Sequence, residues 1–389
     1  MTLLAWHDLV KIRDMIFRYF LFTIFVCLIS SISFPQSELK TYLEGANITS
    51  IRNEGDDVWI STYGQGIYKY SKADDSWTNF STKEGNLDND LFFNIAVSKN
   101  YVWAGATEGI YIYDKKKDKW INKKFALGGE MGNWIRALCY DSSQNVLWIG
   151  RFKNLTRLDV RRQKYSDYDK TISGDSKTNN FTAIALDGDS LIWFGTEAGV
   201  HKYYKDRNIN LKTSWDFYNN KNNEFLEDGS FVSLSSLLFD NKYIWFGTDE
   251  FITKEQPDFN LGGIYIFDRH KQWLRLSKND GLPANGIYSM EKTGNAIWVS
   301  VYHFSKEDRA EYGQGIALVD RVTGKIHKIN LESEKIKTSN VPDMYFDGKD
   351  LWIGTDGGLF RIPIDNPLAH WSGRKKPVKT EKSIIRKRK

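Results

Sequence analysis

From about residue 38 onward the chain repeats one order of apolar and polar positions seven times. The centre of each unit is a Trp between aliphatic or aromatic residues, with a small residue two positions on. These anchors are Trp59, Trp103, Trp148, Trp193, Trp245, Trp298 and Trp352, at intervals of 44, 45, 45, 52, 53 and 54 residues. Eight to ten residues before each anchor stands an apolar pair three apart, such as Ile48 and Ile51, Phe181 and Ile184, or Ile287 and Met290. Residues three apart on a regular strand face opposite sides, so this segment reads as a strand buried on both faces. After the anchor come a glycine turn and an alternating strand, as in Gly66-Ile-Tyr-Lys-Tyr and Gly199-Val-His-Lys-Tyr, then a more polar one such as Ser76-Trp-Thr-Asn-Phe. Four strands graded from buried to exposed predict the blade of a β-propeller.

A lone blade leaves two apolar faces in water; stacking blades around an axis buries both and leaves only short edges outside. The pattern therefore predicts an all-β protein, a seven-bladed β-propeller of four-stranded antiparallel blades over residues 38–371. Each anchor Trp is expected to wedge between neighbouring blades, where truncation to Ala costs about 3 to 5 kcal/mol. Solenoid stacking would need atypical capping repeats, and none is seen. Two segments compete to complete the last blade. Leu39-Lys-Thr-Tyr-Leu-Glu-Gly matches the fourth-strand position of Trp77-Thr-Asn-Phe, and Leu368-Ala-His-Trp371 follows the last repeat directly.

Fourteen Trp, 20 Tyr and 23 Phe suit an aromatic β core. The net charge of +5 would suggest nucleic acid, but the ends hold it: residues 373–389 carry nine bases and one acid, and residues 1–35 three bases and two acids. The body between is mildly acidic and would repel a phosphate backbone, so no nucleic-acid partner is expected. The basic tail lacks a core-forming pattern and is expected to be disordered and solubilising, with contact to an anionic surface as the alternative. Lys11, Arg13 and Arg18 precede an apolar run from Tyr19 to Phe34, so residues 1–35 read as a signal peptide, or else a membrane anchor. The run is shorter than the ~20 residues that span hydrocarbon, so no stable membrane span is expected once it is removed. The protein is then exported to the periplasm, the cell surface or the medium. Beyond Cys27, within that run, Cys139 is the remaining cysteine; no internal disulfide is possible, and a buried, inert thiol is expected.

At these residues the chain resembles the two-component regulator propeller repeat. Asp280-Gly-Leu-Pro-Ala-Asn-Gly-Ile with its downstream Trp298, and Asp350-Leu-Trp-Ile-Gly-Thr-Asp-Gly-Gly-Leu-Phe-Arg, are the clearest matches. The resemblance covers roughly 38–371. It implies an exported propeller of the kind found as the sensor half of hybrid histidine kinases, reading carbohydrate or other extracellular signals. These 389 residues hold no second propeller and no kinase pattern, so signalling chemistry is not carried over.

Propeller ligands meet the face formed by the loops between second and third strands and those between blades. The first kind lengthens in the fifth and sixth repeats, Gly247 to Gly263 and Ser300 to Gly315, and reads as long irregular loops, which are uncommon unless functional or disordered. Asp249, Phe251, Tyr302, His303 and Arg309 on these loops, with Trp134 and Arg136 at the entrance to the third blade, are the ligand-binding candidates. Such a surface stacks on a sugar ring or holds a peptide; the competing reading is solvated loops pinned by their aromatics. A second hint is the acid after the anchor strand, Glu108, Glu197, Asp249 and Asp356, which could line a mouth or, as the expected role, cap the glycine turn that follows. The histidines lack metal-ligand spacing and no calcium-loop pattern appears, so neither a metal nor a cofactor is expected. No nucleophile elbow, phosphate loop or zinc-helix motif occurs. The expectation is a monomeric, non-catalytic binding or sensor-like propeller with a carbohydrate, peptide or protein partner. The alternatives are a polysaccharide lyase or hydrolase, with His303 and Tyr302 as weak catalytic candidates, and a structural part of an envelope complex.

Overall fold

The computed structural model describes residues 39–251, 260–331 and 336–364; the leader, the basic tail and the Leu368–Trp371 segment lie outside them. Among these residues are seven four-stranded antiparallel sheets, which are the seven blades. Six are formed from consecutive strands, the first blade from Ile48–Glu54, Asp57–Thr62, Ile67–Ser71 and Ser76–Phe80. The seventh joins Asp343–Phe346, Asp350–Thr355 and Gly358–Pro363 to the N-terminal strand Lys40–Tyr42, whose Thr41 lies opposite Phe360. The N-terminal segment thus latches the ring. No described helix is long and apolar enough to cross a membrane.

The core is divided into seven clusters, each between two blades. Trp59, for instance, packs with Val102, Ala104 and Tyr111 of the second blade, and Trp352 with Val58 and Ile60 of the first. All seven anchors are at most 2% exposed, so the expected wedge is present at every seam. The small residue two positions beyond the Trp has a steric reason. A Cβ at Gly195 would stand 2.7 Å from Leu234, and one at Gly354 would stand 2.6 Å from Ile48, in each case an inner-strand residue of the next blade.

The inner strands depart from the expected geometry. In five blades the first strand carries a β-bulge near its start, between Ile48 and Ser50 in the first and between Ile287 and Ser289 in the sixth. A bulge adds one residue to the count, so residues three apart come to share a face. Ile48 and Ile51 accordingly both contact the site of Gly354 on the preceding blade, instead of facing opposite sides. The skipped residue leaves the ladder, which frees Arg136 and Tyr288 for the mouth of the ring.

On the lower face, where first strands turn into second, five seams share one polar node. The cation six residues after the turn glycine reaches an acid of the preceding blade: Lys72 to Asp347 at 3.1 Å, Lys205 to Asp141 at 2.6 Å, Arg269 to Asp187 at 2.7 Å, Arg321 to Asp240 at 3.5 Å, and Lys115 to Glu54. In three of them the same acid accepts the anchor indole N–H, as Asp347 does from Trp352 at 3.0 Å. The remaining two seams have Val160 and Ile364 at the cation position, and there the acid is replaced by Ser98 and Thr293. An unpaired buried carboxylate is costly, so acid and cation come or go together.

Higher in the ring, Arg52 of the first blade pairs with Asp343 of the seventh at 2.9 Å, and Glu291 of the sixth lies beside them. Burial, reinforced by Asp343, lifts the Glu291 carboxyl from 4.5 to about 7. The folded state therefore holds a proton that the unfolded state releases. Its contribution is fully present below about pH 4.5 and is lost as pH rises through 7. Glu291→Gln is expected to leave the melting temperature near its wild-type value at pH 5 and to raise it at pH 8, read by thermal denaturation at both.

Candidate functional site

The upper face carries the second-to-third-strand hairpins and the connections between blades. In the fifth and sixth blades the long segments are ordered hairpins where described, a correction to the expectation of irregular loops. Ile244–Phe251 pairs with Asn260–Phe267, and Ala296–Ser305 with Ala310–Asp320. The pairing of the second and third strands continues past the blade, with Tyr302 buried and His303 exposed.

Tyr302 is 2% exposed, and its hydroxyl donates to Asp249 at 3.2 Å while accepting from the Glu250 N–H. Asp249 also accepts from Ser233 at 2.7 Å. Burial pushes the Asp249 carboxyl above the usual range, against the pull of Ser233, Arg136 and Tyr302. Glu311, across the hairpin, is raised for the same reason and interacts with the Tyr288 hydroxyl. The Tyr288 and Tyr302 rings stack at 4.4 Å.

Across the mouth, Arg136 donates to Glu197 at 2.5 Å, and Asn180 holds the other oxygen of that carboxylate. The guanidinium lies 5.5 Å from the rings of both Trp134 and Phe152, which stack on each other with an interplanar angle of 1°. Phe93 and then Tyr63 continue the aromatic row into the second and first blades. The mouth thus joins an aromatic arc on blades one to three to an acidic arc on blades four to six, with Arg136 at the junction. Flat apolar faces beside fixed acceptors can hold a pyranose ring or an extended peptide.

The structure therefore brings Trp134, Arg136, Asp249 and Tyr302 to one rim. It does not bring all the candidates there. His303 is half-exposed on the opposite side of the hairpin, its Nδ1 3.3 Å from Glu250, so it does not converge with Asp249 as a catalytic partner would. Arg309 sits in the exposed tip turn beyond the Ser305–Ala310 pair, about 10 Å along the strand from Tyr302. Phe251 occupies the last described ladder position of its strand, opposite Asn260.

The acids after the anchor strand do not cap the glycine turn. The preceding threonine does: Thr62, Thr196, Thr248 and Thr355 each donate to the carbonyl of the turn glycine at 2.8 to 2.9 Å. Three of the acids instead brace the start of the inner strand or its approach, Glu197 through Asn180, Asp249 through Ser233, and Asp356 through Thr338 and Asn340, while Glu108 pairs with Lys124. Tyr288, Glu311, Phe93 and Phe152 are site residues the sequence reading missed. Superposing Ile135-Arg136 on Ile287-Tyr288 would have found the first of them, since both lie one position past the first apolar residue of the inner strand. Cys139 is half-buried, and burial raises its thiol to about 12. Among the described residues no group of His, Cys, Asp or Glu is arranged to hold a metal ion.

No family model matches the chain. A histidine kinase, P4, of Formosa agariphila is 25% identical over 236 residues, 58% of this chain and 16% of that protein. Among solved structures, the extracellular domain of the hybrid two-component system protein BT4673 of B. thetaiotaomicron superposes with a TM-score of 0.62 at 17% identity, covering 87% of this chain and 42% of that one. PorZ, a surface component of the type-IX secretion system of Porphyromonas gingivalis, gives 0.58 at 14% identity over 82% of this chain and 46% of its own. YCF48 bound to D1 peptide gives 0.58 at 12% identity over 86% of this chain and 99% of its own. The chain thus spans under a fifth of the kinase and under half of the BT4673 domain. With its repeat and its closed ring, the chain is a seven-bladed β-propeller similar in fold to the extracellular domain of BT4673.

Proposed function

We propose that this ring is an extracytoplasmic recognition module, without catalysis of its own, that takes a carbohydrate or peptide ligand at its upper mouth. The observation that carries the reading is Arg136, a bulge residue held over Trp134 and Phe152 by Glu197. Such a cation is fixed in place, so binding a ligand against it orders little that is not ordered already. The likeness to extracellular domains of two-component systems supports export, and the peptide complex of YCF48 supports a peptide as one candidate. Glycan and peptide arrays probed with the purified ring should return a ligand. Calorimetry with Arg136→Ala should then show an affinity loss of about ten- to a hundredfold, the worth of a charge-assisted hydrogen bond. Unchanged affinity would remove the mouth as the site.

The raised carboxyls of Asp249 and Glu311 favour one second reading, a lyase or hydrolase that uses a protonated acid. Turnover of a polysaccharide that disappears in Asp249→Asn, with binding retained, would replace the first reading by this one.

A further inference from the structure

Beside that mouth, and sharing Trp134 with it, a groove of about 470 Å³ opens between the second and third blades. Glu108 and Lys124 form one side; Glu130, Met131 and Trp134 line the connection opposite. Its rim is unusually apolar for solvent: Leu127 and Met131 are 49% and 45% exposed, and Tyr63 and Leu91 beyond Trp134 are 49% and 40% exposed. Large exposed apolar side chains gathered about a groove mark contact sites.

The wall that carries Leu127 and Met131 is fixed by a residue that departs from the repeat. Where other blades place Thr, Ala or Val, the third has Arg151, wholly buried, whose guanidinium donates to the Leu127 and Gly132 carbonyls at 2.9 Å each and pairs with Asp167 at 3.0 Å. Asn133 accepts from the Phe125 N–H at 2.6 Å, closing the same connection. The turn is tight: a Cβ on Gly132 would stand 2.4 Å from the Leu127 carbonyl oxygen. A buried arginine thus holds a rigid loop in the conformation that puts two large apolar side chains into water.

The charge in the groove states what would cover them. Lys124 is engaged by Glu108 at 2.8 Å, and Glu130 has no ion-pair partner among the described residues, so the lining carries one uncompensated negative charge beside an indole. A carboxylate set among exposed apolar side chains suits a Lys or Arg side chain, and the apolar rim suits its aliphatic neighbours. We propose that this groove docks an extended polypeptide segment that presents a basic side chain between apolar ones. The groove adjoins the mouth at Trp134, and its peptide is proposed independently of the ligand class that the mouth takes.

The test uses three eight-residue peptides, alternating Leu-Lys, Leu-Glu and Ser-Lys, titrated by fluorescence anisotropy against the full ring. The Leu-Lys peptide should bind at least about tenfold more tightly than either of the others. Glu130→Lys and Met131→Asp, both exposed substitutions, should each remove about tenfold of that affinity, while Glu311→Gln, on the far arc of the mouth, should leave it within twofold. Equal binding of Ser-Lys would reduce the groove to a charge effect and overturn the proposal. So would wild-type affinity in both groove variants, or loss in Glu311→Gln alone, which would return the peptide to the mouth. Displacement by a glycan that binds the ring, at an intact mouth, would overturn it as well.

Discussion

Asp141→Ala should cost about 3 to 5 kcal/mol of stability, read as a drop in the urea midpoint, because it strands a buried cation. Lys205 and Asp141 have side chains only 2% and 1% exposed and meet at 2.6 Å across the seam between the third and fourth blades. Removing the carboxylate leaves the ammonium with Ser143 as its remaining side-chain partner, at 3.0 Å. It also deletes the acceptor that holds the Ser143 and Gln144 N–H groups of the turn. Asp141→Asn separates the two effects, since an amide oxygen can keep the turn bonds while the charge is lost. Asp141→Leu with Lys205→Met should recover most of the loss, as buried ion pairs are commonly replaceable by apolar pairs of similar volume. The seam between the second and third blades offers the converse experiment. Val160→Lys alone should destabilise by placing a cation opposite Ser98, and adding Ser98→Asp should restore stability. If the double variant is no better than Val160→Lys, the exchange of acid and cation at the seams has a cause other than charge pairing.

The same node explains what the sequence disclosed and what it withheld. The period was legible because each unit solves one steric problem locally: a Trp to fill the seam, and a small residue such as Gly195 to let the next blade approach. The node was not, because its partners lie far apart in the chain, 82 residues for Arg269 and Asp187, and Lys and Arg alternate in the role. The inner strand was misread for a different reason. A bulge leaves no mark on the pattern of Ile48 and Ile51, which reads as an unbroken strand until the register is known. In the site, Arg136 stood out as a charge in an apolar run, whereas Tyr288 looks like one more alternating residue. Arg151 was visible as a departure from Thr, but its function depends on the connection that it holds, which no local pattern announces.

Trp352→Ala should be the most damaging of the anchor truncations, because its seam is the one where the last blade meets the first. The indole is fully buried, within 6.1 Å of Tyr42 on the latch strand and 5.7 Å of Tyr70 on the first blade. Its N–H donates to Asp347, which in turn receives Lys72 from the first blade. Truncation therefore opens a cavity, at a cost of about 3 to 5 kcal/mol, and removes a neutral donor from a charged acceptor at the same place. At six seams the chain passes from one complete blade into the next, so a loss there leaves neighbouring blades tethered. At the seventh, residues 43–47 run from the latch strand into the first blade, and the latch is held to the rest of its own blade by only three pairs between Lys40–Tyr42 and Gly358–Pro363, so a loss there can release the closure altogether. In urea, followed by tryptophan fluorescence and by far-ultraviolet circular dichroism, Trp103→Ala should lower the midpoint and keep the two transitions coincident. Trp352→Ala should lower it further and separate them, as the closing blades release before the rest. Deletion of residues 39–45 should reproduce that separation with all seven anchors in place. If instead the two Trp variants unfold alike and the deletion leaves the transition unchanged, closure contributes no more to this ring than any other seam.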